Sequence, residues 1–338
     1  MFNIVQRRRW FFLASGTVII AGLIAMAISV ATYSYHAPLR LSIDFLGGNL
    51  FEVAFKPVDA TKPIAPFTEA QLSTIFAANG AQDIFVQATH PVHLVAQPDD
   101  SNHWQVRTTY LSDTQIVDLK AALNKAGAAN NAQLDVDQTQ VTAVSPTIGA
   151  EVTRAALIAV VVASVVVLGW IVFAFRQVSG AFRYGACAVL AMIHDILVMT
   201  GIMAIMGLVF KWEADSLYLT ALLTVVGYSV QDTIVVFDRI RENAARHRGE
   251  PYEMIINRSI LETLQRSLSM QLVVAFVMLS LVLVGGESIR QFVAILLIGL
   301  LSGTYSSTFT AIPLLVAWDK GQLPFVRRFS NVASSRTA

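Results

Sequence analysis

Residues 217–237 read Leu-Tyr-Leu-Thr-Ala-Leu-Leu-Thr-Val-Val-Gly-Tyr-Ser-Val-Gln-Asp-Thr-Ile-Val-Val-Phe, an apolar run with a single carboxylate, Asp232, near its end. A helix that crosses a bilayer needs about 20 such residues to span a core about 30 Å thick. Five further stretches meet that test: 10–33, 155–175, 184–210, 268–284 and 292–318. The reading is a polytopic α-helical membrane protein with six transmembrane helices. Composition agrees. Of 338 residues, 55% are hydrophobic and 14% charged, where soluble domains carry about 25% charged residues. Lys and Arg number 24 against 23 Asp and Glu, which lacks the basic excess of a nucleic-acid binder. The lone Cys187 excludes an intramolecular disulfide framework, and no Cys/His zinc cluster is present.

Arginines orient the spans. Arg7, Arg8 and Arg9 precede the first; Arg176 and Arg183 flank the link between the second and third; Arg239, Arg241, Arg246, Arg248, Arg258 and Arg266 fill the link between the fourth and fifth; and Lys320, Arg327, Arg328 and Arg336 mark the tail. Both termini are therefore expected in the cytoplasm. The first span is too long for a cleaved signal core and is read as retained. Gly227, Ser229, Gly299, Ser302, Gly303 and Ser306 suit closely packed helices, with Gly299 and Gly303 forming a GxxxG pair. Four parts follow: an N-terminus and first helix at 1–35, an outer domain at 36–153, five helices at 154–318, and a tail at 319–338.

The outer domain is acidic and patterned. Residues 49–55 alternate like a strand, and Pro57, Pro63 and Pro66 mark a loop. Thr68 caps a helix to Ala78, and strands follow at 82–88 and 104–111. Ser112 caps a second helix to Lys125, and 133–144 returns as one strand. The order β-α-β-β-α-β is that of a ferredoxin-like α+β domain. His36, His90, His93 and His103 are read as solvated, since nothing nearby completes a metal site.

Ionisable groups at membrane depth are functional candidates, because lipid disfavours them. His194 and Asp195 lie about eleven residues into the third span, roughly 17 Å from its end. Asp232 lies near the end of the fourth, and Arg266 opens the fifth on the same side, so the two can pair. Such a pair offers reversible protonation: burial disfavours an ionised carboxylate and an adjacent guanidinium favours it, while His194 can share protons with Asp195. The plainer alternatives are helix-packing hydrogen bonds for the acids and an interfacial anchor for Arg266. Residues 238–265 are expected to form an amphipathic segment along the bilayer. No phosphate-binding loop, nucleophile elbow or paired catalytic carboxylates occur, so the chain is read as no enzyme.

Gly227-Tyr228-Ser229-Val230-Gln231-Asp232-Thr233, continuing through Asp238-Arg239-Ile240-Arg241-Glu242-Asn243, closely resembles the signature segment of the SecF family of protein-export membrane proteins. Ile43-Asp44-Phe45-Leu46-Gly47-Gly48, Pro146-Thr147-Ile148-Gly149-Ala150-Glu151 and His194-Asp195 carry the same resemblance, as do Asn257-Arg258-Ser259-Ile260 and Thr263-Leu264-Gln265-Arg266-Ser267. The departures are Gln231, where the family commonly has Asn, and Ser145, where it has Gly.

The resemblance implies half of a resistance-nodulation-division type bundle completed by SecD. It also implies association with the SecYEG channel, with YajC and YidC as further associates, in the bacterial inner membrane. The outer domain would lie in the periplasm and bind translocating unfolded polypeptide, driven by protons, with sodium left open as the coupling ion and no other cofactor. The family's relay acid and arginine map onto Asp232 and Arg266. Two competing readings are an exporter subunit for small molecules or lipids from the same superfamily, and a scaffold whose buried charges only fix packing.

Overall fold

At membrane depth no water satisfies the peptide groups, so an apolar run must close its hydrogen bonds within itself. The computed structural model describes residues 7–59, 67–88, 103–128, 130–176, 180–247 and 249–322. In chain order its elements are α1 (Arg8–Thr32), α2 (Ile43–Leu46), β1 (Gly48–Pro57), α3 (Glu69–Ala78), β2 (Phe85–Ala88), β3 (His103–Thr108), α4 (Asp113–Ala128), β4 (Ala132–Leu134), β5 (Gln140–Val144), α5 (Pro146–Ala174), α6 (Ala181–Phe210), α7 (Ser216–Arg246), α8 (Tyr252–Val284), α9 (Glu287–Ser306) and, after a π-helical turn at Ser307–Ala311, α10 (Ile312–Asp319). Six crossings are long and apolar enough to span a membrane: α1, α5, α6, α7, α8 and the α9–α10 composite. Pro313 lacks an N–H to bond back to residue 309, and the widened turn directly before it absorbs that missing rung.

The chain divides into two units, one of Met1–Arg40 with Ile158–Ala338 and the other of Leu41–Leu157. In the helical unit, small residues set the spacing. Gly22 of α1 faces Gly201 of α6, and a Cβ on either would lie 2.7 Å from the other's Cα. Gly303 of α9 sits against Ser229 of α7, where a Cβ would come to 3.3 Å. Gly299 is closed in by Val225 and by Met199, whose Sδ would lie 2.7 Å from an added Cβ.

Residues 238–265 are not a separate surface segment. α7 continues to Arg246 and α8 begins at Tyr252, so the stretch is shared between two helix ends. Ile240, Ile256 and Ile260 are buried there, and polar groups tie the ends together. The Asn243 amide donates to Ser259 Oγ at 3.0 Å and to Glu262 Oε2 at 2.8 Å, and Arg239 Nε meets Glu262 at 2.6 Å. The amphipathic pattern is real, and Ile240, Ile256 and Ile260 of its apolar stripe turn inward.

In the other unit β1 is central. It pairs antiparallel with β3 on one side, and with β5 and then β4 on the other, while β2 pairs with β3. The order across the sheet is β2-β3-β1-β4. Phe51, Val53 and Phe55 from β1 join Leu72, Phe76, Leu119 and Leu123 from α3 and α4 in one core, with Phe51 and Phe76 edge-to-face at 5.1 Å. Thr68 and Gln71 close a capping box at the start of α3. The single strand expected over 133–144 is two strands. Asp135 breaks it, its carboxylate accepting from the Asp137 N–H at 3.2 Å and its carbonyl from Thr139 at 2.9 Å, a turn that a short acidic side chain favours. His36 is exposed and His103 stands on β3; Pro63, Pro66, His90 and His93 lie outside the described residues.

Candidate functional site

Among the described residues two carboxylates are buried in the helical unit, Asp195 and Asp232. Asp195 of α6 is 1% exposed. The approach at Gly299 and Gly303 brings α9 near enough for Ser302 Oγ to donate to Oδ1 at 2.7 Å and for Ser306 Oγ to donate to Oδ2 at 2.6 Å. From α7, Ser229 Oγ donates to Oδ2 at 2.5 Å, and His194 Nδ1 lies 3.1 Å from Oδ1. An ionised carboxylate offers about four acceptor positions, and here three hydroxyls and an imidazole occupy them. His194 is 7% exposed.

Asp232 sits one turn along α7 from Ser229, toward Arg246, and is 9% exposed. Its Oδ2 accepts from Gln271 Nε2 of α8 at 3.0 Å. The expected ion pair with Arg266 is not formed: Arg266 is exposed, and Gln271 holds the place beside the acid. Helical geometry gives the reason. Gln271 follows Arg266 by five residues, about 140° around the axis and 7.5 Å along it, so the two point from different faces of α8.

Two of the sequence motifs come together in the other unit. Gly47 and Gly48 have φ of 73° and 130°, values that favour glycine. A Cβ on Gly149 would lie 2.5 Å from the Phe45 carbonyl oxygen and 3.2 Å from the Gly47 nitrogen. Residues 43–48 therefore pack directly on the first turn of α5, which opens at Pro146. Ser145 Oγ accepts from the Ile148 N–H at 3.4 Å, so the serine that stands where the family commonly has glycine caps this helix. The Asp44 N–H donates to Ser42 Oγ, and Glu151 is exposed. Gly47, Gly48, Gly149 and Ser145 thus shape the backbone where the two motifs meet.

The signature segment has two faces. Ser229, Asp232 and Thr233 are buried, whereas Thr220, Thr224, Gly227, Tyr228 and Gln231 form an exposed polar stripe along α7. Farther on, Asp238 pairs with Arg241 at 2.6 Å, and Arg239 bridges Glu242 and Glu262. Sequence reasoning valued Ser229, Ser302 and Ser306 for their size and missed them as donors to Asp195. It missed Gln271 altogether. The available signal was the i, i+4 spacing of Ser302 and Ser306 on a helix required to oppose a buried acid. Among the described residues no three His, Cys, Asp or Glu side chains gather as metal ligands.

The family model described as protein export membrane protein SecD/SecF, C-terminal, matches residues 124–321. A protein translocase subunit SecF from Anaerolinea thermophila is 42% identical over 95% of this chain and 96% of its own length. One from Thermobaculum terrenum is 40% identical over the whole of both chains. The crystal structure of SecDF, a translocon-associated membrane protein from Thermus thermophilus, superposes with a TM-score of 0.72 at 27% identity, over 94% of this chain and 39% of that one. Six apolar crossings and these likenesses agree: the chain is a multi-pass membrane protein and belongs to the SecD/SecF family of protein-export membrane proteins.

Proposed function

We propose that this chain is a SecF-type auxiliary subunit that, paired with SecD, uses the proton gradient to assist passage of secreted polypeptides through the SecYEG channel. The observation that carries the reading is Asp232, a carboxylate buried in an apolar crossing and met by neutral side chains of α8, Gln271 and Ser267. Exchange of Gln271 for Arg266 beside Asp232 is the switch. An amide tolerates either protonation state, whereas a guanidinium stabilises the negative charge and expels the proton. Asp195 and His194 extend the relay toward the middle of the helices.

The names of the relatives support the translocation role, and a SecDF chain that contains a similar segment supports SecD as partner. The exposed face of α7 supports the same pairing, since Gln231 facing lipid would leave an amide without a polar neighbour, whereas the Thr220 and Thr224 hydroxyls donate to carbonyls of their own helix. The arginine-rich links support cytoplasmic termini in the bacterial inner membrane. On that reading the sheet-and-helix unit is a ferredoxin-like periplasmic domain that meets the emerging chain, and YajC and YidC join the complex.

The test is Asp232→Asn in a reconstituted SecD-containing complex at normal abundance. Export of a secreted precursor under a proton gradient is expected to fall at least tenfold, about 1.4 kcal/mol of lost coupling. Unchanged export and unchanged proton flux would sink the proposal.

A further inference from the structure

We propose that Ser267 and Thr263 of α8 form the path along which a proton passes between Asp232 and the charged end of α7 and α8. The inference rests on the translocation reading and adds to it the face of α8 that carries the proton. α8 has 33 residues, and beyond Ile260 its buried residues are Thr263 and Ser267 alone. Leu268, Met270, Leu272, Val273 and Phe276 are exposed. Where α8 turns inward here it therefore offers hydroxyls. Ser259, Thr263, Ser267 and Gln271 follow one another at intervals of four residues, which places them on one face. That face starts at the Asn243–Ser259 bond of 3.0 Å, beside exposed Glu262. It ends at Asp232, which Gln271 meets at 3.0 Å and Ser267 adjoins.

Close packing accounts for part of the stripe. Ser259 and Thr263 donate to the Ile255 and Ser259 carbonyls of their own helix at 2.8 and 2.9 Å. It does not account for the end at Asp232. There Ser267 Oγ is buried without an aligned hydrogen bond among the described residues, and so is Gln271 Oε1. A water beside the acid would find three polar partners in Asp232, Ser267 and Gln271, the number a buried water typically takes. Gln271 is half-buried and Asp232 is 9% exposed, so this end is not sealed. Residues four apart on a helix have Cβ atoms about 5–6 Å apart, the span of one water that makes a bond of about 2.8 Å to each side. A hydroxyl donates and accepts at once, so the transfer balances. The O–H bond of protonated Asp232 breaks as its proton joins the water. Ser267 Oγ takes a proton from that water and releases its own toward Thr263, which repeats the exchange. The last proton leaves at the level of Glu262. Each hydroxyl ends as it began, and Asp232 is left ionised. The charged groups near the path are Glu262 and Arg239, paired at 2.6 Å, and exposed Arg266.

The experiment places the full chain with SecD in proteoliposomes that enclose a pH-sensitive dye and follows proton entry under an imposed gradient, with variants compared at matched abundance and Tm. Asp232→Asn sets the floor. Thr263→Val keeps the shape of the side chain and removes its hydroxyl. Flux through it, and through Ser267→Ala, should fall at least about tenfold, since a positioned proton-transfer group supplies more than that. Thr263→Ser loses a methyl but keeps the hydroxyl and should conduct as the wild type does, which a packing role would not permit. Wild-type flux in both Thr263→Val and Ser267→Ala, with Asp232→Asn at the floor, would overturn the path and leave the proton-driven reading intact. Flux as low in Thr263→Ser as in Thr263→Val would assign Thr263 to packing and overturn the path as well. Wild-type flux in Asp232→Asn would remove both the path and the reading beneath it.

Discussion

Asp195 and Asp232 are both acids in apolar helices, yet their surroundings differ in kind. Asp195 takes donors from three elements: Ser229 on α7, Ser302 and Ser306 on α9, and His194 beside it on α6. Asp232 is met from α8 alone, by the Gln271 amide and the Ser267 hydroxyl. A carboxylate with every acceptor position filled acts as a clasp, because any movement of one helix breaks charge-assisted bonds that are roughly twice as strong as neutral ones. One met by neutral groups of a single helix changes partner or proton at smaller cost. The contrast sets a firmly held acid against a loosely held one, which burial alone does not do.

Substitutions can break or sharpen that contrast. Asp195→Ala leaves three hydroxyls and an imidazole facing a void, and the loss expected is about 3–5 kcal/mol, as for a buried charge pair stripped of one member. Thermal unfolding of the detergent-purified protein should show a collapsed Tm; an unshifted Tm would mean the clasp is ornamental. Next comes Asp232→Asn, which keeps an acceptor for Gln271. Its Tm should move by less than the equivalent of ~1 kcal/mol while export drops as described above. Ser302→Ala and Ser306→Ala each remove one donor of several, and about 1.5–3 kcal/mol is expected from each. The double variant should deviate from the sum, because both hydroxyls address one carboxylate. Gln271→Leu has a small stability effect, about 1 kcal/mol. Its informative readout is the proton-concentration dependence of export, which a purely structural amide would leave in place.

The two acids were visible in the sequence because charge in an apolar run is conspicuous. Their partners were not, for a physical reason. Serine in a membrane helix reads first as a small residue for close packing, and only the packed arrangement reveals that Ser302 and Ser306 point at a carboxylate. The Asp232–Arg266 pairing was reasoned from the level of each residue along its helix. Rotation about the axis of α8, which one sequence does not fix, decides that Gln271 faces inward instead. In the sheet unit, alternation and caps at Thr68 and Ser112 located strands and helices closely. The interruption at Asp135 was missed because the β-branched residues that follow it, Val136, Thr139, Val141, Thr142 and Val144, disguise a turn.

Exposed faces teach the same lesson more broadly. Within their apolar stretches, half of the residues of α6, α7 and the α9–α10 composite are buried, against 6% in α5 and α8. α5 and α8 show Val, Ile, Leu and Phe outward, while α7 shows Thr220, Thr224, Tyr228 and Gln231. Greasy faces suit lipid; the α7 face differs from them in carrying an exposed amide, Gln231. Both are legible from the pattern, but only once burial tells which residues are left over.

The staple formed by Asn243, Ser259, Glu262 and Arg239 has a mechanical consequence. It bolts α7 to α8 at one end, and Asn243 lies eleven residues, about 16 Å, beyond Asp232. Two stiff rods pinned together act like tongs. A small change of angle at the pin is magnified at Asp232 and Gln271, so a push on the charged end arrives there as a gap that opens or shuts.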